Sequence, residues 1–135
     1  MSGHIFFNDR WPGFDDGIYA GARMLEIIAN SEEDDQFATV PYMLSTPEIN
    51  IPAADEEKFQ IVKTFIENSQ FNDAKIVSID GIRVEFEKGW GLLRASNTSP
   101  CLVLRFEAET SEDLDKIKEI FYLTLRSIKP NINKF

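Results

Sequence analysis

The chain has 135 residues with 43% hydrophobic and 27% charged side chains, which is the composition of one globular domain and excludes bulk disorder. Its single cysteine and single histidine exclude an internal disulfide and a metal site built from several thiolates or imidazoles. The net charge is −9, and this acidity excludes nucleic acid and anionic membranes as partners, because both require a basic face.

Residues 1–36 are predicted to form a small α/β unit that is incomplete by itself. Ile5–Phe7 has the apolar character of a short strand, and Asp15 or Asp16 can cap a helix that ends at Ala29. The helix carries an apolar stripe, formed by Ile18, Ala22, Leu25 and Ala29 and widened by Met24, Ile27 and Ile28. One strand and one helix cannot bury such a stripe against each other. We therefore interpret this segment as the end of a larger α/β layer, followed by an acidic linker.

Residues 37–135 are predicted to form a complete α+β domain. The sequence predicts two helices, one that starts near Asp55 and one that is capped by Thr110 or Ser111. It also predicts several strands, which are separated by turn signals such as Asp80–Gly81. An antiparallel sheet with both helices on one face is the simplest arrangement that buries the apolar side of every element. The strands are expected at Glu48–Ile51, Lys75–Ile79, Ile82–Glu87, Trp90–Arg94 and Cys101–Glu109.

Three sets of apolar residues are expected to face the core of this domain. The first of the two helices contributes Phe59, Val62 and Ile66. The last strand contributes Leu102, Leu104, Phe106 and Ala108. The last helix contributes Leu114, Ile117, Phe121, Leu125 and Ile128.

The segment 94–100 concentrates polar side chains where neither flanking strand can use them. Arg94 offers a planar fork of donors, Ser96 and Thr98 offer hydroxyls, and a tight turn around Asn97 would point successive backbone N–H groups inward. Such an anion nest fits a phosphate monoester. From the residues alone, the alternative is a Ser/Asn-rich connection with Arg94 in a surface ion pair.

His4 is the second candidate for chemistry. An imidazole near neutral pH can carry a proton or contact a phosphate, whereas a solvated terminal histidine is the alternative, because acid–base work requires neighbouring groups. Asp15 and Asp16 superficially suggest a metal loop, but acids at a helix start are explained by capping and by the helix dipole. We therefore expect no metal site in this chain.

The stretch Gly89–Pro100 reads GWGLLRASNTSP, and it lies between Asp80–Val84 (DGIRV) and Leu104–Ala108 (LRFEA). These residues resemble the last domain of the α-D-phosphohexomutases, most closely the bacterial bifunctional phosphomannomutase/phosphoglucomutases. The opening Met1–His4, followed by Phe14–Gly17, resembles the end of that family's third domain, where a Gly-Glu-x-Ser-Gly-His loop contacts the sugar. The two sets occur in the order of the family and cover nearly the whole chain.

The resemblance implies a fold, a reaction and a set of site residues. The family's last domain is a TATA-binding-protein-like antiparallel sheet with helices on one face. Its four-domain enzymes move phosphate between the hexose 1- and 6-positions through a phosphoserine and a bisphosphorylated intermediate. By the same resemblance, His4 is a catalytic residue near the reacting end, and Ser2 contacts the sugar. The residues expected to bind the phosphate that is not transferred are Arg94, Ser96, Asn97 and Thr98.

The family's phosphoserine loop and its aspartate-rich magnesium loop have no match in this sequence. Without a nucleophile or a metal, the transferring phosphoryl group has no acceptor and its developing charge has no counter-ion. We therefore expect a C-terminal fragment of a mutase, inactive by itself, with magnesium bound in the parent enzyme through an upstream loop. In this interpretation residues 1–36 are the end of the third domain with its linker, and residues 37–135 are the complete phosphate-binding domain.

The expected partners are a hexose phosphate and the remaining domains of the parent enzyme. No apolar run approaches the roughly 20 residues that cross a bilayer, and the start of the chain lacks the basic, then apolar, pattern of a signal peptide. A monomer in the cytoplasm is therefore expected. The alternative function, from a different class, is a free-standing small-ligand or protein-binding module that shares only the fold.

Overall fold

A computed structural model of the chain describes residues 3–31, 40–69, 71 and 74–135. The chain divides into two compact units, Met1–Pro41 and Tyr42–Phe135, which are described separately below. The boundary predicted after residue 36 lies outside the described residues, so it stays a prediction.

The first unit is built around helix α1, Gly17–Ala29, which the carboxylate of Asp16 caps by accepting hydrogen bonds from two backbone N–H groups, at 2.9 and 3.0 Å. The predicted cap and helix end are confirmed. The predicted strand at Ile5–Phe7 is wrong in extent, because only an isolated bridge joins Phe6 to Asp15. A strand needs a neighbour for its backbone groups, and the described part of this unit offers no second strand.

No residue of α1 is buried. Ile18 is 89% exposed and Leu25 is 67% exposed, so the apolar stripe lacks a covering layer in the described part of its unit, as predicted. Aromatic packing holds the other side of this unit together, with Trp11 stacked on Tyr19 at 4.3 Å between ring centroids.

The second unit is α+β, as predicted. The elements in chain order are β1 Leu44–Ser45, β2 Ile49–Pro52, α2 Asp55–Asn68, β3 Lys75–Val77, β4 Ile82–Phe86, β5 Gly89–Ala95, β6 Cys101–Ala108 and α3 Ser111–Ile128. The six strands in the described residues form one antiparallel sheet, in which β6 pairs with β5 on one side and with β1 and β2 on the other. None of the helices in the described ranges is long and apolar enough to span a membrane.

The core lies between one face of the sheet and both helices of this unit. The predicted face of β6 is confirmed, since Leu102, Leu104, Phe106 and Ala108 are fully buried. The predicted stripe of α3 is confirmed as well, with Phe121 packed edge-on against Phe106 at 5.2 Å. The apolar face of β6 and the apolar stripe of α3 are thus buried from water on the same side of the sheet.

Two sequence predictions for this unit need correction. On α2 the prediction is confirmed for Val62, which is buried, and for Ile66, which packs against the core, but it is wrong for Phe59, which is 56% exposed. The buried face is rotated, and its members are Lys58, Ile61, Val62 and Phe65. The turn between β3 and β4 is a four-residue loop, 78–81, not a two-residue hairpin, because β3 ends at Val77. Ile79, which was expected to continue the strand, is 94% exposed at the loop.

A bulge that sequence reasoning missed separates β1 from β2. Between the pairs Ser45↔Glu107 and Ile49↔Leu104, three residues of the outer strand face two residues of β6. The buried Thr46 restores the hydrogen bonding at this break. Its N–H donates to the Phe106 carbonyl at 3.0 Å, and its hydroxyl oxygen accepts from the Phe106 N–H at 3.1 Å.

Replacing Thr46 with valine is expected to lower the free energy of unfolding of the second unit by about 1–3 kcal/mol, because the buried Phe106 N–H loses its acceptor. Urea denaturation should show a lower midpoint with an unchanged m-value. Thr46→Ser keeps the hydroxyl and serves as the control. Equal midpoints for the valine and serine variants would contradict this account.

The decrease in the free energy of unfolding at acid pH is expected to depend on Glu57. A hydrogen bond from Lys129 Nζ, at 2.6 Å, and a second from the Ala54 N–H hold the pKa of Glu57 below its usual value of 4.5. A carboxylate with a lowered pKa contributes stability above its unfolded pKa and loses that contribution as the pH falls through the folded value. Between about pH 5 and 3, unfolding free energy should therefore fall less steeply in Glu57→Gln than in the wild type.

Lys129→Met should flatten the same decrease, because it removes the donor that holds the pKa of Glu57 down. Denaturation curves recorded across this pH range check both variants. A wild-type slope in Glu57→Gln would show that the ion pair does not contribute.

Candidate functional site

The candidate site lies at the loop of residues 96–100, which joins β5 to β6. The ladder between these strands ends at the pair Ala95↔Leu102. The Ser96 N–H then closes the loop by donating to the Cys101 carbonyl at 3.0 Å, and the Cys101 N–H donates to the Ser99 carbonyl at 2.8 Å. The loop therefore starts and ends at fixed positions, while Asn97, Thr98 and Ser99 are exposed to solvent.

Ser96 organises the interior of this loop. It is 6% exposed, and its hydroxyl oxygen accepts from the N–H groups of Thr98 at 3.3 Å and Ser99 at 3.1 Å. The predicted inward-pointing amides are present, but both point at the Ser96 oxygen rather than at an open anion nest. Since that oxygen already accepts two hydrogen bonds, the remaining capacity of the hydroxyl is its hydrogen, which can donate to a ligand oxygen.

Arg94 precedes the loop on β5, and its side chain is 34% exposed. Its Nη1 atom lies 3.7 Å from Oδ2 of Asp80, which is too long for a hydrogen bond. The surface ion pair that the sequence left open is thus present but loose, and it leaves the fork of guanidinium donors available to a bidentate oxyanion.

Gly81 brings the preceding hairpin against Arg94. Its φ is +86°, and a Cβ atom added there would lie 2.3 Å from the Leu93 carbonyl oxygen and 2.8 Å from the Arg94 Cα. Only glycine fits both the left-handed conformation and this close approach of two backbones. The DG turn seen in the sequence therefore places Asp80 beside the Arg94 side chain.

Lys58 is the residue at this site that sequence reasoning missed. It is 3% exposed although it is charged, and its Nζ atom donates to Asp55 Oδ1 at 2.5 Å and to the Ser99 carbonyl at 3.0 Å. The signal in the sequence is the helical spacing, which puts Lys58 on the same face of α2 as Ile61, Val62 and Phe65. A stripe of this kind buries each member, so a charged member must find partners.

In the first unit, the structure gives His4 a partner. Its Nδ1 is hydrogen-bonded to Oδ2 of Asp15, which fixes the ring and leaves Nε2 as the nitrogen that can face a ligand. Asp15, expected only as a possible cap, is thus the neighbour that acid–base chemistry requires. Ser2 lies outside the described residues.

Metal binding finds no support in the part of the chain that the structure describes. No three His, Cys, Asp or Glu side chains there approach one another closely enough to hold a metal ion. The expectation that this chain holds no metal, and the expectation that the parent enzyme binds magnesium through an upstream loop, both stay predictions.

Replacing Gly81 with alanine is expected to destabilise the second unit by about 1–3 kcal/mol, because the new methyl group combines a strained φ with a backbone clash. Chemical denaturation measures the loss. NMR shifts of the Arg94 and Asp80 amides should move in the folded fraction, since the clash lies between the 78–81 loop and β5. Gly21→Ala, where an added Cβ meets nothing within 4 Å, is the control and should leave unfolding of this unit unchanged. A wild-type midpoint in Gly81→Ala would contradict the close approach.

Two family models match the chain in consecutive order. Residues 1–39 match the model described as phosphoglucomutase/phosphomannomutase, alpha/beta/alpha domain III. Residues 48–123 match the C-terminal domain of the same description. The second match alone covers more than half of the chain.

Similar proteins come from several bacteria. A phosphomannomutase/phosphoglucomutase of Pseudomonas syringae pv. tomato is 52% identical over 135 residues, which is 98% of this chain and 29% of that protein. A phosphoglucomutase of Neisseria meningitidis serogroup A is 47% identical with the same two shares. The crystal structure of a phosphoglucomutase/phosphomannomutase family protein from Burkholderia thailandensis superposes with a TM-score of 0.85 at 42% identity, covering 100% of this chain and 29% of that one. The chain thus spans under a third of the length of these relatives.

Proposed function

Since this chain belongs to the phosphoglucomutase/phosphomannomutase family, we propose that the β5–β6 loop binds a phosphate group of a hexose phosphate in a longer mutase. The family predicted from the sequence motifs is confirmed, and the second unit is the family's C-terminal domain. The observation that carries the proposal is the state of two donors at the start of the loop. The Arg94 guanidinium is held only loosely by Asp80, and the Ser96 hydroxyl, whose oxygen already accepts two hydrogen bonds, can still donate its hydrogen.

The chemistry of a phosphate monoester matches what this loop presents. Its oxygens accept hydrogen bonds and carry negative charge, so they pair with the planar donors of Arg94 and with the hydroxyl hydrogen of Ser96. Asn97 and Thr98 are exposed and make no hydrogen bond through their side chains within the described residues, so both are available to a ligand. These four residues bind the phosphate that is not transferred, and they supply affinity and orientation, not bond cleavage.

In this proposal His4 and Ser2 are the two residues of the first unit that take part in the reaction of the longer mutase. The carboxylate of Asp15 orients the His4 ring, which is the arrangement a proton-transfer residue needs. Ser2 contacts the sugar. The nucleophile and the magnesium ion of the reaction belong to other segments of the longer protein, and the described residues contain no cluster of three His, Cys, Asp or Glu side chains that could hold the ion. The 135-residue chain is accordingly inactive alone.

The exposed stripe of α1 supports the placement of this chain in a longer protein. Its apolar side chains are exposed, a layered α/β/α domain would bury such a face, and residues 1–39 match a family model of that description. The alternative, a free-standing binding module that shares only the fold, gains no support from matches at about half identity that span both domains.

Arg94→Ala is expected to abolish saturable binding of glucose 1-phosphate to the 135-residue chain. Losing a charge-assisted contact reduces affinity by about 1.5–3 kcal/mol, or roughly ten- to over a hundredfold. In the wild type, an NMR titration should shift the amides of residues 94–98 and saturate in the millimolar range, since one phosphate is bound without the rest of the site. In Arg94→Ala the same amides should not saturate.

Arg126→Ala removes an arginine from the end of α3 and is the matched control. It should bind as the wild type does. Shifts confined to another surface, or an unchanged titration in Arg94→Ala, would overturn the phosphate-binding role and favour the module.

A further inference from the structure

We propose that Lys58 is the positioning residue of the phosphate site: its buried ammonium group holds the β5–β6 loop in the shape that binds phosphate. The inference rests on the proposed function of that loop and adds a residue from a different element, α2, to the site. Lys58 acts through the loop backbone and does not itself touch the ligand.

The burial of Lys58 requires an explanation. A charged amine is rarely removed from water unless it is paired and hydrogen-bonded, because desolvation is unfavourable. Here the ammonium group donates one hydrogen bond to Asp55 Oδ1 on the same helix, at 2.5 Å, and another to the main-chain carbonyl of Ser99, at 3.0 Å. The charge is therefore directed at the backbone of the loop, 41 residues along the chain.

Ser99 connects Lys58 to the Ser96 hydroxyl, which the proposed function assigns to phosphate binding. Its carbonyl accepts from Lys58 and from the Cys101 N–H, while its own N–H donates to the Ser96 hydroxyl oxygen. A second tie runs beside the first, since the Ala53 N–H donates to the Pro100 carbonyl at 3.0 Å. Lys58 thus fixes Ser99, whose N–H occupies the Ser96 hydroxyl oxygen. The hydroxyl hydrogen of Ser96 therefore remains free for a ligand.

The consequence is preorganisation. The exposed stretch 97–99 is polar and lacks apolar packing, so it would lose conformational freedom on binding a phosphate if nothing held it beforehand. The ammonium–carbonyl bond imposes that order in the free protein. Lys58 is committed to two partners and buried, so it is not a free cation for the ligand.

The test uses the 135-residue chain and glucose 1-phosphate as the probe. Lys58→Met keeps the stem and removes the donors, and we expect its dissociation constant to rise at least fivefold. The Ser99 amide should also exchange with solvent at least tenfold faster. Lys58→Arg restores a charged donor and should recover most of the affinity. Thr46→Val, which destabilises the same unit away from the loop, should keep the wild-type dissociation constant.

Equal binding by Lys58→Met and the wild type, with Arg94→Ala still defective, would overturn the positioning role while leaving the proposed function intact. Failure of the wild type to bind the probe overturns both. A matching loss of affinity in Thr46→Val would show that Lys58 acts only through global stability, which also overturns the proposal.

A second pair of variants keeps the proposal testable if Lys58→Met does not fold. Asp55 is 69% exposed, so Asp55→Asn should fold, and it removes the carboxylate that orients the ammonium group. Its dissociation constant should rise two- to threefold. Glu56→Gln removes the same charge from the same helical turn without touching Lys58, and should bind at least as tightly as the wild type. Equal dissociation constants for the two variants would overturn the proposal.

Discussion

The antiparallel ladder between β5 and β6 is the constraint on which the rest of the second unit depends. One face of β6 is fully buried, and its contact with α3 through Phe106 and Phe121 fixes where the strand lies in the domain. Because side chains alternate along a strand, a shift of one residue would turn that whole face toward water. The register is therefore determined strongly, and the loop that joins the two strands inherits fixed end points. The loop that we propose to bind phosphate is short and exposed, and its ends are held by the strands on either side.

The sequence predicted the parts of the fold that depend on repeated patterns. Alternation identified the buried face of β6, and helical spacing identified the stripe of α3. The prediction failed where the outcome depends on tertiary contacts. Helical spacing places Phe59 on one face with Val62 and Ile66, yet the helix turns Lys58 inward and leaves Phe59 exposed. Strand β1, with two residues, is too short to show any period, and the bulge at Thr46 depends on a hydroxyl that substitutes for a backbone acceptor.

The site shows the same division between pattern and contact. Residue types left open whether Arg94, Ser96 and Thr98 form an oxyanion site or an ordinary surface loop, and the resemblance then implied a phosphate site that includes Asn97. Neither indicated how the loop uses its own hydrogen bonds. The direction of the Thr98 and Ser99 amides follows from the backbone dihedral angles of the turn, which residue types do not determine. Lys58 and Asp80 reach the site from other elements, so their roles appear only when the sheet and α2 are assembled. Asp15 joins His4 in the first unit for the same reason.

The bulge at Thr46 also affects the tendency of this protein to aggregate with other copies of itself. A straight outer strand displays a row of unpaired amide and carbonyl groups that can template aggregation between sheets. Here the outer strand is interrupted after two residues, carries Pro47 at the break, and ends at Pro52, neither of which has an N–H to offer. From Leu44 to Pro52 the rim is therefore a poor template for cross-β growth. The bulge that completes the hydrogen bonding of β6 therefore also protects this edge of the sheet from pairing with another sheet.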